Sequence, residues 1–232
     1  IEDPIEYRMP RINQTQVKPD IGLTFANGLR TLVRQDPDII MVGEIRDNET
    51  AGLAINASLT GHLVVSSLHT NDAVGAIPRL MDMKIEPFLI SSTLSVVIAQ
   101  RLVRCLCPES REKYNLTKKE LESLSKEINL DKVLKILKQE KIISAKDTWE
   151  TIEFYRPKES DKCPKGYKGR MGIFEVLDVT AEIKEMVNSS ASSEQLREKI
   201  ESMGMITMLE DGFMKAVQGL TSIEEVLRAS RE

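Results

Sequence analysis

Apolar positions in the first hundred residues alternate between a helical spacing and short unbroken runs. Phe25, Leu29, Leu32 and Val33 fall at i, i+4, i+7 and i+8, the stripe of an amphipathic helix, and Thr24 is placed to cap it. Asp36-Pro37-Asp38 breaks that pattern, and Ile39-Ile40-Met41-Val42 then reads as a fully buried strand. A helix of small residues follows over 48–59 and stops near Gly61. Leu63 to Leu68 predicts a second strand, after which Asn71 or Asp72 caps another helix. Pro87 suits the first turn of a long apolar helix running to about Arg104. Strand, helix, strand, helix predicts an α/β chain holding part of a parallel sheet.

The pattern changes at Cys105. Residues 111–141 are dense in Lys and Glu, and Leu121, Leu124, Ile128, Val133, Leu134 and Leu137 are spaced for short helices. A polar stretch, 157–168, leads to Gly169-Arg170-Met171-Gly172-Ile173-Phe174-Glu175-Val176, and from there the pattern is helical. Thr221 with Glu224 three residues later predicts a capping box ahead of Val226 and Leu227. The expected organisation is therefore an α/β portion over 1–104, a Cys-bearing and partly helical subdomain over 105–170, and a helical region over 171–232.

Composition narrows the function classes. With 41% hydrophobic and 29% charged residues, the 232-residue chain has the balance of a globular protein. A net charge of −4 with both signs well mixed gives no basic face for nucleic acid. No apolar run approaches the ~20 residues of a membrane span. Three cysteines make no disulfide framework, so reduced thiols in a cytoplasmic setting are the default.

Three segments carry candidate chemistry. Asp38-Ile39-Ile40-Met41-Val42-Gly43-Glu44-Ile45-Arg46-Asp47 ends an apolar strand on an acid, at the edge where open α/β sheets take their ligands. A carboxylate there orients water for attack on a phosphate or supports Mg²⁺; its bland alternative is a solvated strand end. Glu2-Asp3-Pro4-Ile5-Glu6 brings three acids into five residues, a second acidic group or simply an acidic turn. Thr60 to Asn71 contains both histidines. His62 and His69 are seven apart and so face opposite sides of a regular strand, which argues against a shared metal. His69 lies where strand gives way to a polar turn, as a phosphate sensor would, whereas His62 reads equally well as structural.

In order and spacing these segments resemble the Asp box, Walker B motif and His box of the ATPases of type II secretion and type IV pilus assembly. The similarity runs from Ile1 to Cys107, through Phe25-Ala26-Asn27-Gly28-Leu29-Arg30 and Gln100-Arg101-Leu102-Val103-Arg104. It resumes from Cys163 to Arg228, and is loose only over about 111–162. The resemblance implies a RecA-like core with a partial parallel sheet and a homo-hexamer using ATP and Mg²⁺. It implies a place on the cytoplasmic side of the inner membrane, peripheral to it through a platform protein that moves pilin-like subunits. By position Glu44 matches the Walker B glutamate, Glu2, Asp3 and Glu6 the Asp-box acids, and His69 the His-box histidine. Arg30 and Arg34 match helix arginines that reach phosphate or a neighbouring subunit; their bland alternative is a solvated helix face.

Two departures from the family pattern stand out. A phosphate-binding loop needs a Gly-rich turn ending in Gly-Lys, and no Gly-Lys pair occurs in this sequence. In the family that loop lies shortly upstream of the Asp box, so the chain is expected to be the part downstream of it and inactive alone. The alternative is a non-hydrolysing interaction module of the same machinery. Family members with two CxxC pairs bind zinc, but here Ser110 stands where the second Cys of the first pair would be, and one Cys remains of the second pair. Cys105, Cys107 and Cys163 are thus either an incomplete zinc site, short of the usual four ligands, or ordinary buried thiols. On a helix Cys105 and Cys107 would lie about 200° apart.

Overall fold

The computed structural model describes residues 1–231, without the side chain of Arg231; Glu232, the last residue of the expected third stretch, lies outside the described residues. The chain forms two compact units, each built from two separate stretches: Ile1–Val97 with Leu177–Met203, and Ile98–Val176 with Gly204 onward. The expected breaks after 104 and 170 lie near the points where the chain passes between units. The expected third stretch is divided, with Leu177–Met203 belonging to the first unit.

In the first unit, helix α1 (Phe25–Leu32) begins as its sequence predicts, with Thr24 Oγ1 accepting from the Asn27 amide. Strand β1 (Ile39–Val42) precedes helix α2 (Asn48–Leu59), which Asp47 caps through the Thr50 amide. Strand β2 (Leu63–Ser66) pairs with β1 in parallel, Ile39 opposite Leu63 and Val42 opposite Ser66. Ala51, Ala54 and Ala57 are buried; with so little side chain they let α2 lie close to its neighbours. Helices α3 (Ala76–Asp82) and α4 (Pro87–Thr93) follow, and α7 (Ala181–Asn188) packs on α4, where Ser91 Oγ donates to Asn188 Oδ1. Helix α8 (Ser193–Ser202) buries Leu196 and Ile200.

Three expectations fail in this unit. The helix expected to be capped by Asn71 or Asp72 begins only at Ala76, with Gly75 at its N-cap and no side-chain cap. Strand β1 is half-buried rather than fully buried. Ile40 and Val42 are covered, but Ile39 is 62% exposed, and Met41 and the β2 residues Leu63 and Val65 are exposed with it. The period of two puts these four on one face of the ladder, and nothing among the described residues covers that face.

The long helix from Pro87 also fails, ending at Thr93. Residues Val96–Leu106 form strand β3 instead. Val96, Val97 and Ile98 are β-branched, and β3 finds a partner in β6 (Tyr167–Asp178). Short apolar runs fit either period, and pairing with a strand sixty residues away decides this one.

In the second unit, β4 (Glu112–Asn115) and β5 (Glu153–Arg156) pair antiparallel around α5 (Lys118–Leu124) and α6 (Leu130–Gln139). Their apolar faces share a core with α9 (Met208–Val217), in which Phe154 and Phe213 meet edge to face. Helix α10 (Ile223–Arg231) is capped one residue later than its sequence suggests. Ser222 Oγ accepts from the Glu225 amide, while Thr221 Oγ1 donates to the Arg104 carbonyl. A tertiary acceptor has claimed the threonine.

That shift places Glu225 inside the unit. It is 1% exposed and accepts from Nε of Arg104 at 2.7 Å and from Nε of Arg228 at 3.2 Å. Burial would raise its carboxyl pKa, but the hydrogen bonds from Arg104 and then Arg228 outweigh burial and hold it down at about 2. A depressed folded-state pKa gives stability that is complete above about pH 4.3, the ordinary glutamate value, and is lost as pH falls toward about 2. Both arginines keep nearly half their side chains in water, which tempers the cost of losing the acid. Glu225→Gln should therefore cost on the order of 2–3 kcal/mol at pH 7 and flatten the loss of stability below pH 4. Urea unfolding at several pH values reads both effects, and a variant with the parent's acid sensitivity would show the ion pairs to be idle.

Candidate active site

The parallel ladder of β1 and β2 continues past the strands. The Ile45 amide donates to the Ser67 carbonyl at 3.0 Å, and Ser67 Oγ donates to the Gly43 carbonyl at 2.6 Å. These bonds bring the two strand ends side by side at one carboxyl edge, so that Glu44 and His69 meet. His69 Nε2 lies 3.0 Å from Glu44 Oε2.

Arg46 completes the cluster. On extended backbone a residue two positions on returns to the same side, and its guanidinium reaches both oxygens of Glu44, each at 2.5 Å. The hydrogen bond from Arg46 first, then that from His69, lowers the Glu44 pKa below the ordinary carboxylate range. Glu44 is thus ionised and largely covered, with its side chain 12% exposed, while His69 is 77% exposed. Arg46 is a site residue not expected from sequence, and its i+2 position beyond the acid is the signal that marks it.

The acidic segment at the start of the chain reaches the same edge. The Ile1 amine donates to the Met41 carbonyl and the Gly43 amide to the Ile1 carbonyl, both at 2.8 Å. Two glycines ease this approach. A Cβ at Gly43 would stand 3.2 Å from the Ile1 carbonyl oxygen, a tight contact, and one at Gly28 of α1 would displace the end of the Ile1 side chain. Asp3 lies close enough to Arg46 to favour its charged form, and Glu2 accepts from Gln14 Nε2 at 2.9 Å. Glu6 stands exposed in the loop beyond.

Other sequence candidates fall elsewhere. Arg30 pairs across to Glu49 of α2 at 2.5 Å, with both side chains about half exposed. Arg34 is exposed in the turn after α1. His62 Nδ1 lies 2.8 Å from the Ala57 carbonyl oxygen and closes the end of α2, a structural role. In the second unit, Cys107 and Cys163 are disulfide-bonded, where reduced thiols were the default, and Cys105 is free. Cys105 sits on strand β3 rather than on a helix, and burial pushes its thiol pKa up. The structure therefore joins two of the three proposed zinc ligands and leaves the third apart.

The structure thus brings an ionised acid, a histidine and a second acidic segment to the carboxyl edge of a parallel pair. A model of the Type II/IV secretion system protein family matches residues 1–228. The chain belongs to that family. It is 48% identical to the type II secretion system ATPase E of Vibrio cholerae, over 100% of this chain and 42% of that protein. It is 46% identical to the type IV pilus assembly ATPase PilB of Thermus thermophilus, over 100% of this chain and 24% of that one. Among solved structures it resembles the pilus retraction motor PilT, with a TM-score of 0.64 and 26% identity over 100% of this chain and 51% of that one. The chain thus spans less than half the length of these curated relatives.

Titration separates the contributions of the two partners of Glu44. In a ¹³C-detected titration, the Glu44 carboxyl should titrate below the ordinary glutamate value of about 4.3. Arg46→Ala should raise that midpoint more than His69→Ala does. Equal or reversed effects would mean that the guanidinium is not the principal partner.

Proposed function

We propose that this chain is the acid- and histidine-bearing part of a hexameric ATPase that couples ATP hydrolysis to assembly of pilin-like subunits, in pilus extension or in type II secretion. The observation that carries this reading is Glu44, ionised at the carboxyl edge of the β1–β2 ladder and contacted by His69. Relatives named as secretion and pilus-assembly ATPases at 46–48% identity over the whole chain support it.

Carboxylate oxygens are the donors Mg²⁺ prefers; Glu44, with Asp3 on the far side of Arg46, would supply them to an ion that also draws on the phosphate oxygens of the nucleotide, since no group of three protein ligands is assembled among the described residues. Bound Mg²⁺ with ATP would supply an electrophilic phosphorus whose charge is partly neutralised. Glu44 orients and deprotonates the attacking water, its ionised state matching that duty. His69, exposed beside it, contacts the phosphate end of the nucleotide and reports its state through the shared hydrogen bond. Arg46 holds the acid ready. A cradle for the triphosphate requires the Gly-Lys pair that these residues lack, so the chain alone hydrolyses nothing.

Among the described residues no helix is long and apolar enough to cross a membrane. We place the ATPase on the cytoplasmic face of the inner membrane, peripheral to it through the platform protein, and without a nucleic-acid partner. Arg30, already engaged by Glu49, belongs to a solvated helix face; Arg34, which is exposed and makes no ion pair among the described residues, is the better arginine to act across a subunit boundary.

In the longer protein that includes a phosphate-binding loop, Glu44→Gln should lower turnover at least ~10²-fold while nucleotide binding persists, because the amide keeps shape and loses the charge. His69→Ala should cost less. Steady-state hydrolysis and fluorescent-nucleotide binding measure the two quantities, and near-parent turnover by Glu44→Gln would move the catalytic acid to Glu2, Asp3 or Glu6. The 1–232 chain should show no hydrolysis above a Glu44→Gln control. Turnover above that control would instead show a self-sufficient site. Mixing Arg34→Ala with Glu44→Gln subunits should restore activity if each site draws on two chains.

A further inference from the structure

The loop between β3 and β6 is tied at its neck by two short turns of mirrored sequence, Cys107-Pro108-Glu109-Ser110 and Ser160-Asp161-Lys162-Cys163. In the first, the Ser110 and Arg111 amides donate back to the Cys107 carbonyl. In the second, Ser160 and Cys163 exchange amide-to-carbonyl bonds at 3.1 and 3.0 Å. The turns are also bonded to each other's surroundings. The Cys107 amide donates to the Gly166 carbonyl at 2.9 Å, and Ser110 Oγ donates to the Lys158 carbonyl at 2.8 Å. Gly166 has φ +70°, and a Cβ there would lie 2.7 Å from the Lys158 nitrogen, so only glycine lets the strands close so tightly.

Backbone geometry alone therefore delivers the two cysteines to each other. Their Cα atoms are 6.4 Å apart, within the span a disulfide bridges, and the residues are 3% and 1% exposed. Both serine hydroxyls are already occupied, Ser110 Oγ with the Lys158 carbonyl and Ser160 Oγ with the Cys163 amide at 3.2 Å. The neck thus offers two sulfurs, half of what a structural zinc needs. Among the described residues no group of three or more His, Cys, Asp and Glu could hold a metal ion.

We propose that Cys107 and Cys163 form a reversible dithiol–disulfide staple that closes the neck of the 56-residue separation between them, made and broken by exchange with a low-molecular-weight thiol–disulfide couple. In the forming direction one thiolate of the pair attacks the small disulfide, giving a mixed disulfide and one small thiol. The second thiolate then attacks the protein sulfur of that mixed disulfide and expels the other small thiol. Two electrons and two protons leave the cysteine pair and end on two small thiols. The reverse exchange restores the dithiol. Because the staple encloses β4, α5, α6 and β5, it removes loop freedom from the unfolded chain rather than adding a contact to the folded one.

The test uses the 1–232 chain. One sample is equilibrated with oxidised glutathione and another with dithiothreitol; free thiols are then blocked with iodoacetamide in denaturant and the digests mapped without reduction. The oxidised sample should contain the tryptic peptide 105–111 joined to 163–165, and the same link should survive Cys105→Ser. Its thermal midpoint should exceed that of the reduced sample by ~5 °C or more, a difference that Cys163→Ser abolishes and Cys105→Ser keeps. Should Cys163→Ser fold poorly, the peptide map of the parent protein decides. Three alkylated cysteines after oxidation, a link through Cys105, or stoichiometric zinc retained until the thiols are blocked would each overturn the proposal.

Discussion

Parallel pairing of Ile39–Val42 with Leu63–Ser66 is the constraint from which the site follows. Parallel strands end on the same side, so whatever residues follow them share one edge. Here those are Glu44 and His69, twenty-five positions apart in sequence and 3.0 Å apart in space. The crossover between the strands is α2, whose buried alanines leave room for it against the ladder. A one-residue slip would turn Ile40 and Val42 outward and carry the acid away from its partner. The burial of those two residues therefore sets the position of a carboxylate that is not itself part of the core.

Glycine supplies the second element of the site. The opening acidic segment lies close against β1, and Gly43 and Gly28 present no side chain to Ile1 there. Bringing Asp3 near Arg46 adds negative charge beside a carboxylate already bound by a guanidinium and an imidazole. Such a cluster is balanced as it stands, and a metal-bound triphosphate would shift that balance by supplying its own charges.

The second unit uses charge differently. Glu225 is removed from water and neutralised locally by Arg104 and Arg228, with Tyr167 stacked against the Arg104 guanidinium and bonded to Ser222. The arginine joins β3 to α10, two elements more than a hundred residues apart, so the ion pair fixes how the end of the chain returns to the strand. Its neighbour in sequence, the Cys107 turn, fixes how the chain leaves that strand again.

Local signals in the sequence determined much of the first unit: the Thr24 cap, the break at Asp36-Pro37-Asp38, the α2 helix and the start of each strand stand where pattern and capping chemistry put them, although β2 stops at Ser66 rather than Leu68. The motif order also determined the family and pointed to Glu44 and His69, because short-range spacing preserves which residues follow which strand. What tertiary structure decided were the features whose cause lies far along the chain. Val96–Leu106 is a strand because β6 pairs with it, although its apolar run fits a helix equally well. Thr221 gives up its cap because the Arg104 carbonyl takes its hydroxyl, and Cys107 meets Cys163 because two turns converge at one neck. Arg46 lay between these cases, since its spacing was local but its two hydrogen bonds exist only once the strand ends are aligned. Periodicity and capping act over a few residues and are written in the sequence. Pairing partners, competing acceptors and converging turns act across the fold, where only the packed chain selects among them.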